Sequence, residues 1–347
     1  MALTNKEGWL YFLGEIDFKT GEKFGYVKIG KTDYDRPVSD RSSDHQTGNP
    51  RHIIEVADSI RTNFIDNLET YMHHRFATKR VHGEWFQLSD DDLAEAVKEA
   101  NRVNDLLNTV LTDSQEVSEM SKSESNGKTI AANKTVLADY QEFVANEKQR
   151  ALHKLNQEIV AAKMRNLTSS FGGLDEVSVL SLVARPLKFN KADFEKDHPT
   201  IVAKYMKTEE KMARNFSISN KPSAAKTYPE INQDFKELKE KYEDISSVKD
   251  SLVSRDSTIE SLHQEWLELH ESEAEVMILS EIFSLKLQHA CGENEAIEDV
   301  CKWKRQVQEK TSLDTTALKE GEPTLYASYQ VTQSPTVRYK VTPYRCY

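Results

Sequence analysis

Trp9-Leu10-Tyr11-Phe12-Leu13 is an unbroken apolar and aromatic run, and Phe24-Gly25-Tyr26-Val27-Lys28-Ile29 is a second, with Thr20-Gly21-Glu22-Lys23 as turn chemistry between them. This pattern predicts a β-hairpin. Residues 36–45 read as a short helix that stops at Gln46-Thr47-Gly48-Asn49-Pro50, and Ile53-Ile54-Glu55-Val56-Ala57 reads as a strand. Over 62–76 the apolar positions Phe64, Ile65, Leu68, Met72 and Phe76 form a helical stripe, with Glu69 and His73 at i, i+4 on a neighbouring face. Trp85-Phe86 predicts a further short extended piece. Ser89 and the acidic residues 90–92 then open a helix to about Val110, because they satisfy free amides and the helix dipole.

Residues 112–128 are rich in serine and polar groups and predict a linker, after which a helical pattern runs from about 130 to 165. Between Pro229 and Gly292 there is neither glycine nor proline, and Ile231, Leu238, Ile245, Leu252, Ile259 and Trp266 recur every seventh residue. The direct reading is a long coiled-coil-like helix over 231–276, about 65 Å at ~1.5 Å per residue. Its companion apolar track shifts spacing midway, which allows a break into an antiparallel pair. An internal repeat relates 158–218 to 281–340: setting Pro199 on Pro323 places Tyr205 on Tyr329 and Arg214 on Arg338 without a gap, and the long helix separates the two copies. The expected fold class is α+β. The expected divisions are 1–111 with a trailing helix, a linker at 112–129, a helical region at 130–228 with the first copy, the long helix or hairpin at 229–280, and the second copy at 281–347.

Composition adds limits. The 38% hydrophobic and 30% charged content is that of a soluble globular chain, and no run of about 18 apolar residues exists to span a membrane. The first residues, MALTNKEGW, lack the apolar core of a signal peptide, so a cytoplasmic location is expected. Cys291, Cys301 and Cys346 lack metal-site spacing and read as free thiols. The net charge is −11, yet residues 1–88 hold 12 basic and 13 acidic residues, so the acidity lies elsewhere. Within that segment Lys28, Lys31, Arg36, Arg41, Arg51, Arg75, Lys79 and Arg80 supply a local basic patch for phosphates.

Chemistry concentrates in the same segment. A phenol at Tyr11, cations at Lys28 and Arg41, an imidazole at His45 and a carboxylate at Glu69 are the parts needed for metal-assisted phosphodiester hydrolysis. Each alone is more often a packed aromatic, a surface cation or a solvated helical pair. Their order is more specific. Trp9-Leu10-Tyr11, Lys28-Ile29-Gly30, Arg41 with His45 four residues on, the QTGNP turn at 46–50, Glu69 in L-E-x-x-x-H and the closing Gly83-Glu84-Trp85-Phe86 resemble the GIY-YIG nuclease superfamily, in its phage and mobile-element branch. The resemblance covers residues 1–88. It implies a small mixed sheet flanked by helices and DNA cleavage with one Mg²⁺ or Mn²⁺ held by Glu69. In that comparison Tyr11 accepts a proton from the attacking water with help from Lys28, Arg41 forks onto the phosphate, and His45 positions the phosphate or the nucleophile. Lys31, His73 and Glu84 are accessory candidates, and the turn at 17–23 is longer than usual and placed for substrate contact.

The second copy of the repeat, with KLQHACGENEAIEDVCKWKR followed by EPTLYASY and VRYK, looks like the C-terminal part of YqaJ-type phage exonucleases without their acidic catalytic core. Both copies therefore read as non-catalytic binding modules that place DNA, or as dimerising units with core aromatics. The leading expectation is a metal-dependent DNA endonuclease with a helical targeting or oligomerisation region. The alternative is a non-catalytic DNA-binding or assembly protein with a retained nuclease fold. The same chemistry permits RNA, no membrane partner is expected, and the long helix offers a route to a homo-oligomer.

Overall fold

The computed structural model describes residues 2–242, 245, 247–345 and 347. The first part of the chain is built from β1 (Gly8–Ile16), β2 (Lys23–Asp33), α1 (Val38–Gln46), β3 (His52–Thr62), α2 (Ile65–Arg75), β4 (Arg80–His82), β5 (Trp85–Gln87) and α3 (Asp90–Asn108). The strands form one sheet in the order β3-β1-β2-β5-β4. The hairpin, the strand at 53–57 and the helical stripe of 62–76 all form as the pattern requires. Every ladder in this sheet is antiparallel, where the resemblance implied a mixed sheet. The fold as a whole is α+β, with this sheet followed by a mainly helical region that contains long helices.

Alternation along β1 divides the sheet into two faces. Leu10 and Phe12 enter the main core with Val27, Ile29, Leu68 and Met72, while Tyr11 and Leu13 pack on the other side with Val38 of α1 and Ile53 of β3. Helix α3 starts at a capping box in which Ser89 and Asp92 satisfy each other's backbone amides. The stretch read as a linker instead carries α4 (Leu111–Met120), which rests on the later part of the chain. Its Val117 is buried in the same core, and that contact outweighs the polar composition.

The remainder is a duplication longer than the one the sequence displays. The first copy runs through β6 (Thr129–Ile130), α5 (Lys134–Thr168), β7 (Gly173–Leu174), β8 (Ser178–Val183), β9 (Lys188–Phe189), α6 (Lys191–Asp197), α7 (Pro199–Lys204) and β10 (Met206–Ile218). Two helices, α8 (Ala224–Thr227) and α9 (Pro229–Glu240), connect it to the second copy. That copy contains α10 (Ser257–Cys291), β11 (Ala296–Ile297), β12 (Cys301–Leu313), α11 (Thr315–Gly321), α12 (Pro323–Ser328), β13 (Gln330–Val331) and β14 (Thr336–Val341). Helices α5 and α10 are both 35 residues long, each N-capped by a side chain, Asn133 or Asp256, that accepts from the third amide of its helix. Glu176 and Asp299 sit at equivalent places with φ of 59° each.

The copies exchange strands: β10 pairs with β12, and β14 pairs with β8, both antiparallel. Reciprocal hydrogen bonds mark an approximate two-fold relation. Asn190 N donates to Tyr329 O at 2.8 Å and Asp314 N to Tyr205 O at 2.9 Å, while Ser219 N donates to Val300 O and Thr342 N to Val177 O at 2.8 Å each. Two corrections follow. The 231–276 helix is not continuous, because α9 ends at Glu240 and Leu252 of the heptad series is 47% exposed between helices. The second long helix is also part of the repeat rather than a spacer, and its apolar face is spent within the chain against α5 and α2. Cys291 and Cys301 are buried free thiols, and Cys346 lies outside the described residues.

Candidate active site

The site forms around the segment of β2 where β5 stops pairing with it. Opposite Tyr11 on β2 stands Gly30, and a Cβ there would lie 2.6 Å from the Tyr11 hydroxyl oxygen. A glycine is therefore needed for the phenol to cross the neighbouring strand. At the same point Ile29 donates its amide to Glu84 O at 3.1 Å and its carbonyl accepts from His73 Nε2 at 2.8 Å. Gly83, at φ 53°, makes the turn that brings Glu84 to this edge.

Helix α1 delivers Arg41 and His45, one turn apart. Its end is fixed by the QTGNP turn: Gln46 Nε2 donates to Asn49 O and Arg51 O at 3.1 and 2.8 Å, and Gln46 Oε1 accepts from Ile53 N at 2.9 Å. One amide side chain thus locks α1 onto β3 and sets the direction of the catalytic candidates. Helix α2 delivers Glu69, which is 9% exposed, and His73. The turn at 17–23 is closed by Asp17, which accepts from Lys19 N and Thr20 N. It lies six residues along β1 from Tyr11, roughly 20 Å away, and so does not adjoin the site.

Electrostatics ties the candidates together. Tyr11 is fully buried, and burial raises its pKa against the opposing charge of Arg41, with Glu84 and Glu69 raising it further. The cation acting on the phenol is Arg41, not Lys28, whose ammonium is ion-paired to Glu84. Burial works against the Glu84 carboxylate, but that lysine holds its pKa below the usual value. His45 is held below 6.5 by burial and by Lys28 and Arg41. Burial raises the Glu69 carboxyl, opposed by Lys31, whose Nζ lies 2.8 Å from Glu69 and 2.6 Å from Asp66. His73 is pulled down to about 4 by burial, and with Nε2 given to the Ile29 carbonyl it ties α2 to β2 as a neutral ring.

All eight sequence candidates thus converge, and the structure adds three residues. Asp66 shares the Lys31 ammonium with Glu69, Asp44 accepts from both Arg36 and Arg41, and half-buried Arg80 lies where its charge acts on Glu84 and Glu69. Asp66 and Asp44 stand three residues from Glu69 and Arg41, a helical spacing legible in the sequence. The basic patch is altered more: seven of its eight cations are already paired with carboxylates of the chain, so a phosphate must compete for them. Among the described residues ten buried side-chain polar atoms have no hydrogen-bond partner, and Tyr11 Oη, Arg41 Nε and His45 Nε2 are three of them. Buried polar atoms are rarely left unpaired without a reason.

None of the described helices is long and apolar enough to cross a membrane. No curated protein and no solved structure matches the chain. A family model described as the T5orf172 domain matches residues 8–101, from β1 into α3, and this makes the segment that holds the whole cluster similar to a phage-associated, nuclease-related domain.

Proposed function

We propose that the chain is a metal-dependent endonuclease of the GIY-YIG type that hydrolyses phosphodiester bonds in DNA. The observation that carries this reading is the cluster of Tyr11, Arg41 and His45, whose buried Oη, Nε and Nε2 atoms have no partner at normal hydrogen-bond geometry, with Arg41 and Glu69 both acting on the Tyr11 phenol. A phosphate and its attacking water supply the partners these atoms lack. The donor set also fits a hard divalent cation: Glu69 and Asp66 present oxygens to one point, which the Lys31 ammonium bridges. Mg²⁺ or Mn²⁺ held by Glu69 would act there as a Lewis acid on a phosphate oxygen.

The chain's own residues divide the remaining work. Arg41, partly neutralised by Asp44 at 3.2 Å and acting on the Tyr11 phenol, forks onto the phosphate and stabilises charge that develops as the bond forms. His45 is neutral at pH 7 with a free ring nitrogen, so it accepts the proton of the attacking water. Tyr11, whose pKa is raised, remains a phenol and orients the water or the phosphate as a hydrogen-bond donor. Lys28 and Glu84 hold one another and the β2–β5 edge, and His73 fixes α2.

Labelled duplex DNA, single-stranded DNA and RNA, incubated with Mg²⁺ over a range of pH, test these roles. Wild type should cut duplex DNA with a rate that rises with pH and levels off once His45 has lost its proton, a transition displaced to the acid side of a free imidazole. His45→Ala should lose that acid limb and at least about a hundredfold in rate, and Tyr11→Phe should slow cutting while keeping it. An unchanged pH profile in His45→Ala would overturn the role given to His45, and preferential RNA cleavage would overturn the substrate.

A further inference from the structure

Two histidines meet where α2 of the sheet lies against α10 of the second repeat. His74, in the last turn of α2, and His270 place their Nδ1 atoms 3.3 Å apart, with ring centroids at 4.8 Å and planes at 75°. Glu273 stands three residues beyond His270 and is 3% exposed. Each of the three offers a ligand atom, and these atoms lie within 4.8 Å of one another. Two imidazoles and one carboxylate form a donor set suited to Zn²⁺ and its first-row neighbours. Nitrogens bound at about 2.05 Å on adjacent corners of a tetrahedron are separated by about 3.3 Å, so the histidine pair is already spaced for a shared cation.

The surroundings support ligation. Glu273 Oε1 is 3.4 Å from Arg150 Nε and 3.6 Å from Lys154 Nζ, so one carboxylate oxygen is oriented by outer cations while the carboxylate retains a second. That is how an outer group fixes a ligating carboxylate. Trp266 packs edge-on against His270 at 4.3 Å and limits its rotation. Burial holds both histidines at about 4, in the neutral form that binds metal. The duplication points the same way. In the first copy the equivalent positions on α5 are Glu147 and Arg150, and it is α10 rather than α5 that makes the main contact with α2. The repeat departs from its own symmetry where a third ligand becomes available from the sheet.

We propose that His74, His270 and Glu273 bind one divalent cation of the Zn²⁺ class, with water in the fourth position, and that this cation ties α2 to α10. The site is separate from the Glu69 cluster and does not depend on its chemistry.

Full-length, tag-free protein stripped with EDTA and titrated with Co²⁺ or Zn²⁺ tests the site. One equivalent of Co²⁺ should bind with the intense visible bands of a four-coordinate ion, Zn²⁺ should displace it, and Zn²⁺ should raise the unfolding temperature. His74→Gln and His270→Gln should each weaken binding at least about tenfold and remove the thermal shift, with an unchanged circular dichroism spectrum, whereas Glu69→Ala should leave both intact. Absence of saturable binding would mean that the histidines only hydrogen-bond each other, and binding that survives both substitutions would equally overturn the site. X-ray absorption of the Zn²⁺-loaded wild type decides the matter if the variants fail to fold: two imidazole ligands are expected, and none would contradict the proposal.

Discussion

At the scale of single residues, the contact between Tyr11 and Gly30 shows how a motif letter becomes a physical requirement. A methyl group at position 30 would stand 2.6 Å from the phenol oxygen and 2.7 Å from its ring carbon, within a buried site that cannot open freely. Gly30→Ala should cost about 1–3 kcal/mol in a urea titration and displace Tyr11, and a neutral result would mean the ring has room to move. A second prediction concerns acid. His73, His74 and His270 have folded-state pKa values of about 4 against 6.5 for the free side chain. Between these values the unfolded chain binds more protons, so stability is full above pH 6.5 and is lost as the pH falls toward 4. Glu69, raised by burial, acts in the opposite sense through its own titration range. The unfolding temperature of metal-free protein should therefore fall between pH 6.5 and 4.5, and a flat profile would contradict the burial of these rings. The identities of Tyr11, Arg41, His45 and Glu69 were legible because motif order survives in one dimension. Their protonation was not, because it depends on which cation each meets: Lys28 looked suited to assist Tyr11, yet Glu84 takes it.

At the scale of elements, α5 and α10 cross with their charged groups inside. Arg150 is 9% exposed and reaches Glu147 at 3.2 Å, Glu273 at 3.4 Å and Glu281 at 3.1 Å. Arg150→Ala leaves three carboxylates facing one another with less compensation, and should cost about 3–5 kcal/mol by chemical denaturation. A loss under about 1 kcal/mol, the range of an exposed pair, would mean the cluster is effectively solvated. Elements with their own periodicity were readable: the hairpin, α2, the capped α3 and the existence of helix near 130–165. The continuous helix over 231–276 was not sound, because a heptad series does not report that Leu252 ends in solvent between two helices. The polar 112–128 stretch likewise hid α4, which packs on α10 far along the chain.

At the scale of the molecule, the duplication is the larger lesson. Sequence similarity exposed only its later part, through Pro199 and Pro323 at the first position of α7 and α12. The structure extends the unit to include both 35-residue helices, whose surfaces diverged because α10 must also receive α2 while α5 receives α9. Strand exchange between the copies makes one chain resemble an intertwined pair, and the packing of α10 against α5 and α2 uses the apolar face that a coiled-coil dimer would have required. A chain with one Glu69 cluster and an internally satisfied long helix should nick one strand at a time.

Supercoiled plasmid with Mg²⁺, comparing wild type with Glu69→Ala at equal concentration, tests the central claim most directly. The account predicts conversion to open circles by wild type only with the metal present, and at least about a hundredfold loss in the variant. Intact plasmid with wild type, or equal cutting by Glu69→Ala, would contradict it.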